Sequence, residues 1–419
     1  MVQGTTIDGL SPEKNEAKMA LDEIIREGAR QLLIKALNAE VQEYLNQAAN
    51  QRDEAGHALA VRNGYGKERR VLAGAGELRI RAPRINDKRT DDNGERCRFT
   101  SQILPPYLRR TKNMEDFLPY LYLKGISTGD FSDTLSSLVG RDVHGLSAGT
   151  ISRLKQVWEQ EHDQWQQRDL SDKQYVYIWV DGIYCKVRLE QEKQCILVIL
   201  GATPEGTKEL VAVMDGYRES EESWLTVLRD LKSRGLTTLP SLAIGDGALG
   251  FWKALRKEWP TTREQRCWKH KICNVLDKMP QGIRGQAKAM LHDIYNAESR
   301  KSALKAYNRF CEVYRPKYAK AVACLEKDRD ELLTFFDFPA EHWKHIRTTN
   351  PIESTFATVR LRTKRTRNCG SRTTIFTMVF KLVQVASRRW KRLRKRKLIL
   401  KVIEGCEFKD GILVERKAA

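Results

Sequence analysis

The sequence predicts an α/β protein: one sheet formed from the middle of the chain, with basic helical segments before and after it. Three observations predict this. Aromatic and β-branched residues crowd the runs between Gln174 and Gly216; apolar residues recur at helical spacing on both sides of that region; and Gly, Pro, Asn and Asp punctuate the changes of period. With 419 residues, and one domain per ~150 residues, the chain is long enough for about three units.

Taken in order, Leu21, Ile24, Ile25, Leu32, Leu33, Ala36, Leu37, Val41, Tyr44 and Leu45 follow helical spacing, which predicts one long amphipathic helix over Leu21 to Ala49, or two with Gly28 as the candidate break. The segment QRDEAGHALAVRNGYGKERR reads as a basic loop. GELRIRAPR then alternates Leu78 and Ile80 with Arg79 and Arg81, as a half-exposed strand does. Its arginine face suits either a phosphate backbone or a sheet edge guarded by charge.

FLPYLYLKGISTGDFSDTLSSLVG predicts a helix ending near Gly125 and a second capped by Ser127 or Thr128, and LSAGTISRLKQVWEQ predicts a further helix from Ser147. Ser152, Arg153 and Lys155 fall in its first turns. Short helices joined by a glycine-containing turn, with small polar and basic groups near the start of the last, match a helix-turn-helix DNA reader; a plain helical hairpin has the same pattern.

QYVYIWVDGIYCKVR, KQCILVILGATPEG and TKELVAVMDG are β-rich runs separated by turn signals, an antiparallel meander. ESWLTVLRDLKSRG is an amphipathic helix closed by Gly235, and SLAIGDGALGFWKALRKEWP gives a buried strand, a glycine-flanked turn at Asp246 and another helix. Three antiparallel strands, a helix, a strand and a helix is the order of a ribonuclease H-like core, to which TREQRCWKH adds one more short strand. From Lys269 to about His345 the pattern is helical and basic, like an insertion into that core. The stretch from Arg360 to Lys397 keeps apolar spacing within its charge, as a packed basic helix does.

The charge balance, 74 Lys and Arg against 54 Asp and Glu for a net +20, calls for a polyanionic partner such as DNA, RNA or an anionic membrane surface. Insertion into a bilayer is not expected, since the longest apolar run, Cys195 to Ala202, is far short of the ~20 residues that span it, and the polar start is no signal peptide. Nine scattered cysteines without a Cys-x-x-Cys pair predict free thiols in a reducing compartment, the cytosol.

Asp181 interrupts an apolar strand, where a desolvated carboxylate needs a partner. Asp246 stands at the carboxyl end of LAIGD, where ligands gather in α/β sheets. In a ribonuclease H-like sheet the first and fourth strands adjoin, so these carboxylates converge, and a helix packed across the sheet brings Glu353. Three converging carboxylates need cations: two Mg²⁺ ions, for which Mn²⁺ could substitute, would activate a nucleophile and stabilise a leaving oxygen in phosphodiester attack. Asn350-Pro351-Ile352-Glu353 also fits a helix start, with Asn350 as cap and Glu353 reaching back to it. Arg360, two turns after Glu353, faces the same way and could hold a phosphate.

These residues resemble the Mutator-type transposases of bacterial insertion sequences, which are DDE enzymes. DGALGFWKALRKEWPTTREQRCWKH carries Asp246, Gly250, Pro260, Gln265, Cys267 and His270 at the family's spacing, with Glu258 where the pattern expects a small residue; RTTNPIESTFATVRLRTKRTR looks like the block with the third acid. RNGYGKERR and LYLKGISTGDFSDTL also look like family segments. The resemblance implies a catalytic and metal-binding triad of Asp181, Asp246 and Glu353. It also implies binding to terminal inverted repeats and target DNA, cleavage and joining of 3′ ends with Mg²⁺, and a homo-oligomer, at least a dimer, in the bacterial cytosol with the nucleoid.

Ser152, Arg153, Lys155, His270, Arg360, Arg362 and Arg367 are the expected DNA contacts. Cys267 is expected to be a buried neighbour of the site, although Cys267 and His270 have metal-ligand spacing and His342 and His345 could complete a zinc tetrad. The implied organisation is an N-terminal helical and basic region (1–110), a helix-turn-helix-like region (111–170), a first core segment (171–267), a helical insertion (268–345), a core completion with its basic helix (346–400) and a tail (401–419). Two other functions suit the same residues: a DNA-binding regulator on an inactive ribonuclease H-like scaffold, or a structure-specific nuclease of that fold.

Overall fold

The computed structural model describes residues 12–91, 94–114, 117, 121, 126, 134, 148–187, 193–247, 249–365 and 371–414; side chains at 12–20, 148–155, 249 and 363–365 are outside that description. The chain forms two compact units, Met1–Ile151 and Ser152–Ala419.

In the first unit a helix, α1 (Pro12–Ala48), packs against an antiparallel hairpin of β1 (Ala60–Ala73) and β2 (Gly76–Asp87). The alternation expected of β2 is present, with Leu78 and Ile80 buried and Arg79 and Arg81 exposed. Those apolar residues meet Leu37, Val71 and Leu104 in a small core. Of the one helix or two allowed by the sequence, one forms: α1 runs through Gly28, since one glycine costs only ~1 kcal/mol, and Leu33, Ile34 and Leu37 pack on the hairpin while Leu21, Ile24, Ile25 and Leu32 stay exposed. One expectation fails here. The supposed loop contains β1, whose outer residues from Val61 to Arg70 lack an apolar alternation and whose register shifts twice, at Arg62/Tyr65 and Tyr65/Glu68.

The second unit is a mixed α/β structure. Its sheet has the order β5-β4-β3-β6-β7, from β3 (Tyr177–Lys186), β4 (Lys193–Ala202), β5 (Lys208–Gly216), β6 (Leu242–Gly245) and β7 (Arg263–Arg266). The first three strands are antiparallel; β6 and β7 run parallel to β3. Every residue of β4 after Lys193 is buried, which is why its sequence from Cys195 on is a continuous apolar run. Preceding the sheet is α2 (Ala148–Gln166), whose His162 packs edge-on against Phe376 and Phe380.

On one face of the sheet lie α3 (Glu221–Ser233) and α4 (Leu249–Glu258), sealing Trp224, Trp252 and Trp259 into the main core. Burying each such ring stabilises the fold by roughly 1.5–3 kcal/mol or more. Ser220 caps α3 by accepting from the Ser223 amide, and Gly235, at φ +97°, ends it as expected. Glu258, unexpected at its position, links α4 to α3 through Arg229 (2.8 Å) and Lys232 (3.0 Å).

After β7 the chain is helical: α5 (Trp268–Leu276), α6 (Gln281–Tyr295), α7 (Arg300–Glu326), α8 (Arg329–Leu333) and, beyond two 3₁₀ turns, α9 (Trp343–Ile346). Gln265 pins this segment to the sheet. Its Oε1 accepts from the Phe335 amide (2.7 Å) and its Nε2 donates to the Leu332 carbonyl (3.1 Å). Next, α10 (Asn350–Arg365) packs on β3 and α11 (Arg372–Ser387) on β5, and α12 (Arg396–Ile403) precedes a minimal hairpin of β8 (Phe408–Lys409) and β9 (Ile412–Leu413). Among the described residues no helix is long and apolar enough to cross a membrane.

Candidate active site

The site begins with strand register. β3 and β6 are parallel neighbours paired through Val180 and Gly245, so Asp181 and Asp246 each stand one residue beyond a paired position. Asp181 accepts from the Gly182 amide (2.9 Å) and Asp246 from the Gly247 amide (2.6 Å). Trp252 Nε1 donates to the Asp246 carbonyl (2.8 Å), fixing the turn that carries it.

Glu353 arrives on the first turn of α10, but the cap is not the expected one. Thr349 precedes the helix, and its carbonyl accepts from the Ile352 and Glu353 amides, both at 3.0 Å. The Thr349 hydroxyl lies 3.0 Å from Glu353 Oε1 and 3.2 Å from Cys267 Sγ, while the Thr349 amide donates to the same sulfur at 3.3 Å. Asn350 is therefore the first helical residue, and Glu353 bonds the cap's side chain where a bond to the cap amide was expected. Lys269 is ion-paired to Glu353 Oε2.

His270, from the first turn of α5, stands between two of the acids. Its Nδ1 is 3.9 Å from Asp246 Oδ2 and its Nε2 is 3.8 Å from Glu353 Oε1. Interaction with the Cys267 sulfur, opposed by burial and assisted by Asp246 and Glu353, lifts the imidazole to about 9. Asp181 is pushed up to about 7, first by burial and then by the charge of Glu219. Glu353 moves the other way: burial raises it, but Lys269, the Thr349 hydroxyl and His270 outweigh that and hold it below the usual carboxylate range.

Cys267 is buried, as expected, and its sulfur lies with His270 and Glu353 in a group whose ligand atoms are within 4.8 Å of one another. The zinc tetrad does not form with His342, whose Nδ1 is taken by the Tyr177 hydroxyl (2.9 Å) and whose Nε2 faces the Arg394 carbonyl (3.1 Å). Asp181, Asp246 and Glu353 offer carboxylate oxygens, the hard donors that Mg²⁺ and Mn²⁺ take.

The expected DNA contacts are placed unevenly. Arg360 is exposed, with its guanidinium over the Phe356 ring (5.9 Å). Arg362 is only 2% exposed, so a duplex on the surface does not reach it; the helix turns it inward, 200° of rotation from Arg360 at ~100° per residue. Ser152, Arg153 and Lys155 lie on the backbone of α2, with side chains outside the description, and Arg367 lies outside the described residues altogether. So does nearly all of the helix-turn-helix segment before Ala148.

Sequence reasoning missed Glu219, Lys269 and Thr349. Lys269 and Thr349 sit inside motifs already singled out. The only sequence cue to Glu219 is indirect: glycines at 182 and 250, whose meaning is visible only once the chain is folded.

A five-stranded mixed sheet with Asp181 and Asp246 on adjacent parallel strands, and a helix that brings Glu353 to His270, defines a mixed α/β protein with acidic side chains on neighbouring elements. The chain belongs to the Mutator family of transposases, whose family model matches residues 2–393. It is 52% identical over 303 residues to the transposase for insertion sequence element IS6120 of Mycolicibacterium smegmatis, covering 72% of this chain and 93% of that one. It is 50% identical to the transposase for element IST2 of Acidithiobacillus ferrooxidans (67% and 95% covered). Against the transposase for element IS256 in transposon Tn4001 of Staphylococcus aureus the identity is 30% (77% and 79% covered). Among solved structures, the Drosophila P element transposase strand transfer complex aligns at 11% identity with a TM-score of 0.28, too low to define a fold.

Proposed function

We propose that this protein is the transposase of an insertion sequence: it binds the terminal inverted repeats of its element, cleaves their 3′ ends and joins them to target DNA. The observation that carries the reading is the register of β3 and β6, which sets Asp181 and Asp246 side by side, with His270 linking Asp246 to Glu353. The strand order supports a ribonuclease H-like core, with α5 to α9 as its helical insertion. The net charge of +20 supports DNA as the partner, and assembly as at least a dimer on two element ends completes the proposal.

Asp181, Asp246 and Glu353 would hold two Mg²⁺ ions, which when bound supply activation of a water or 3′-hydroxyl and stabilisation of the leaving oxygen. The protein's own residues do the rest. Thr349 and Lys269 fix the Glu353 carboxylate from two sides, the Gly182 and Gly247 amides orient the aspartates, and His270 and Arg360 offer positive groups to phosphate.

The test is Mg²⁺-dependent cleavage and joining of DNA carrying the ends that flank the gene, comparing wild type with Asp246→Asn and Glu353→Gln. Both variants should keep the wild-type melting temperature within a few degrees and lose cleaved and joined products. Equal activity in wild type and variants would sink the proposal, and cleavage without joining would make the protein a nuclease.

A further inference from the structure

We infer that Glu219 is a fourth carboxylate of the cation site, standing with Asp181 and Asp246 where the pairing of β3 with β6 ends. This rests on the metal-dependent reading above and adds to it a residue outside the acidic triad.

The position is built by two glycines. A Cβ on Gly182 would lie 2.6 Å from both Cδ and Oε1 of Glu219, so the carboxyl group occupies the space that a side chain at position 182, next in the strand to Asp181, would fill. A Cβ on Gly250 would lie 2.3 Å from the Glu219 carbonyl oxygen, 2.5 Å from Ser220 C and 2.6 Å from the Glu221 amide nitrogen. The start of α4, four residues after Asp246, is thus in close contact with the chain entering α3. The Glu219 amide reaches the Tyr184 hydroxyl at 3.4 Å, and Ser220 caps the helix that follows. The backbone of Glu219 is thus held on both sides, and its carboxyl group lies against Gly182 of β3.

The charges around it point to a cation. Glu353 already has the Lys269 ammonium and the Thr349 hydroxyl. Burial and then the charge of Asp246 raise Glu219, and burial and then the charge of Glu219 raise Asp181, with His270 opposing both. The imidazole is 3.9 Å from Asp246 Oδ2 and 3.8 Å from Glu353 Oε1, so it is shared among these acids. Like charges this close are costly unless a further positive charge joins them, and oxygen donors from three separate segments suit a hard divalent ion.

The experiment uses the full-length protein and Mn²⁺ as the probe. Bound Mn²⁺ is measured by electron paramagnetic resonance of the free ion, beside the melting temperature of metal-free protein, for wild type, Glu219→Gln, Glu219→Asp and Asp246→Asn. Glu219→Gln should weaken Mn²⁺ binding at least ~10-fold, the loss seen even for outer partners of metal sites. Metal-free Glu219→Gln should melt no lower than wild type, because a repelling charge has gone. Glu219→Asp keeps the charge but is one methylene shorter, and should bind with intermediate affinity. Wild-type Mn²⁺ affinity in Glu219→Gln with loss in Asp246→Asn would overturn the role of Glu219 and leave the triad standing. Wild-type affinity in both would overturn the metal reading itself. A Glu219→Gln protein that melts well below wild type, with Glu219→Asp binding unchanged, would make Glu219 a structural residue and also overturn the inference.

Discussion

His270 Nε2 lies 3.8 Å from Glu353 Oε1, although the two residues reach each other from different helices and across the whole α5 to α9 segment. What closes that distance is a buried contact behind them. Cys267 and Thr349 each stand just before their helix, and the Thr349 amide and hydroxyl both meet the Cys267 sulfur. The starts of α5 and α10 are thereby joined, and the acid and the imidazole on their first turns share one site.

Thr349→Val keeps the shape of this joint and removes its hydroxyl. The side chain is fully buried, so losing its polar contacts should cost about 1–2 kcal/mol in urea unfolding. Glu353 would keep Lys269 and lose its orienting hydroxyl, and DNA cleavage should fall about 10-fold, as for other outer-shell partners. Thr349→Ser should restore both. Cleavage at the wild-type rate in Thr349→Val would show that Glu353 is positioned without it.

The two glycines around Glu219 should respond differently to alanine. In Gly250→Ala the new methyl meets backbone atoms at 2.3–2.6 Å, and overpacking of about 1–3 kcal/mol should exceed the ~1 kcal/mol that alanine gains in a helix. In Gly182→Ala it meets the end of a flexible side chain, which can swing aside, so stability should stay within about 0.5 kcal/mol while Mn²⁺ affinity falls. Chemical denaturation of the two variants separates these cases; a stable Gly250→Ala protein would count against the close approach of α4.

Much of this architecture is legible in sequence because its signals are local. β4 reads as a strand from its unbroken apolar run, α3 from its amphipathic spacing and the Gly235 that closes it, and Asp181 as a site residue from its place in an apolar strand. What is not legible depends on distant partners. RTTN offers several capping residues in a row, and Thr349 takes the cap because its hydroxyl finds a buried sulfur 82 residues earlier in the chain. β1 hides because its outer part packs few apolar residues. Glu219 looks like an ordinary residue before a helix cap until Gly182 and Gly250 are seen against it.

Asp328 should prove the most costly polar residue of the helical segment. It is 6% exposed and ion-paired to Lys271, with Arg266 Nε at 3.5 Å from its other oxygen, and Arg266 in turn lies over the Trp252 ring at 4.1 Å. Asp328→Asn leaves two buried cations facing a neutral amide. The expected loss is about 3–5 kcal/mol, a fall on the order of 10 °C in melting temperature for a unit of this size. A drop of only a degree or two by calorimetry would mean that solvent reaches these groups.

The first unit should carry its own acid sensitivity, set by Asp87. Its carboxylate accepts from the Tyr44 hydroxyl at 2.6 Å, from Arg89 Nε at 3.0 Å and from Arg89 Nη2 at 2.8 Å, joining α1 to the end of β2. Burial raises this acid, but the Arg89 and Tyr44 bonds prevail and hold it at about 2, below the ~3.9 of an unfolded chain. A carboxyl depressed on folding contributes stability that is fully present above its unfolded value and is lost as pH falls through the folded one. The window is therefore roughly pH 4 to 2. At neutral pH Asp87→Asn should destabilise this unit by about 2 kcal/mol, the scale of hydrogen bonds to a charged group. Hydrogen exchange of α1 and the hairpin, followed in wild type and Asp87→Asn, should show the difference shrinking across that window as the wild-type carboxyl takes up its proton. A difference that stays constant from pH 4 to 2 would mean that Asp87 acts through packing and its charge contributes nothing.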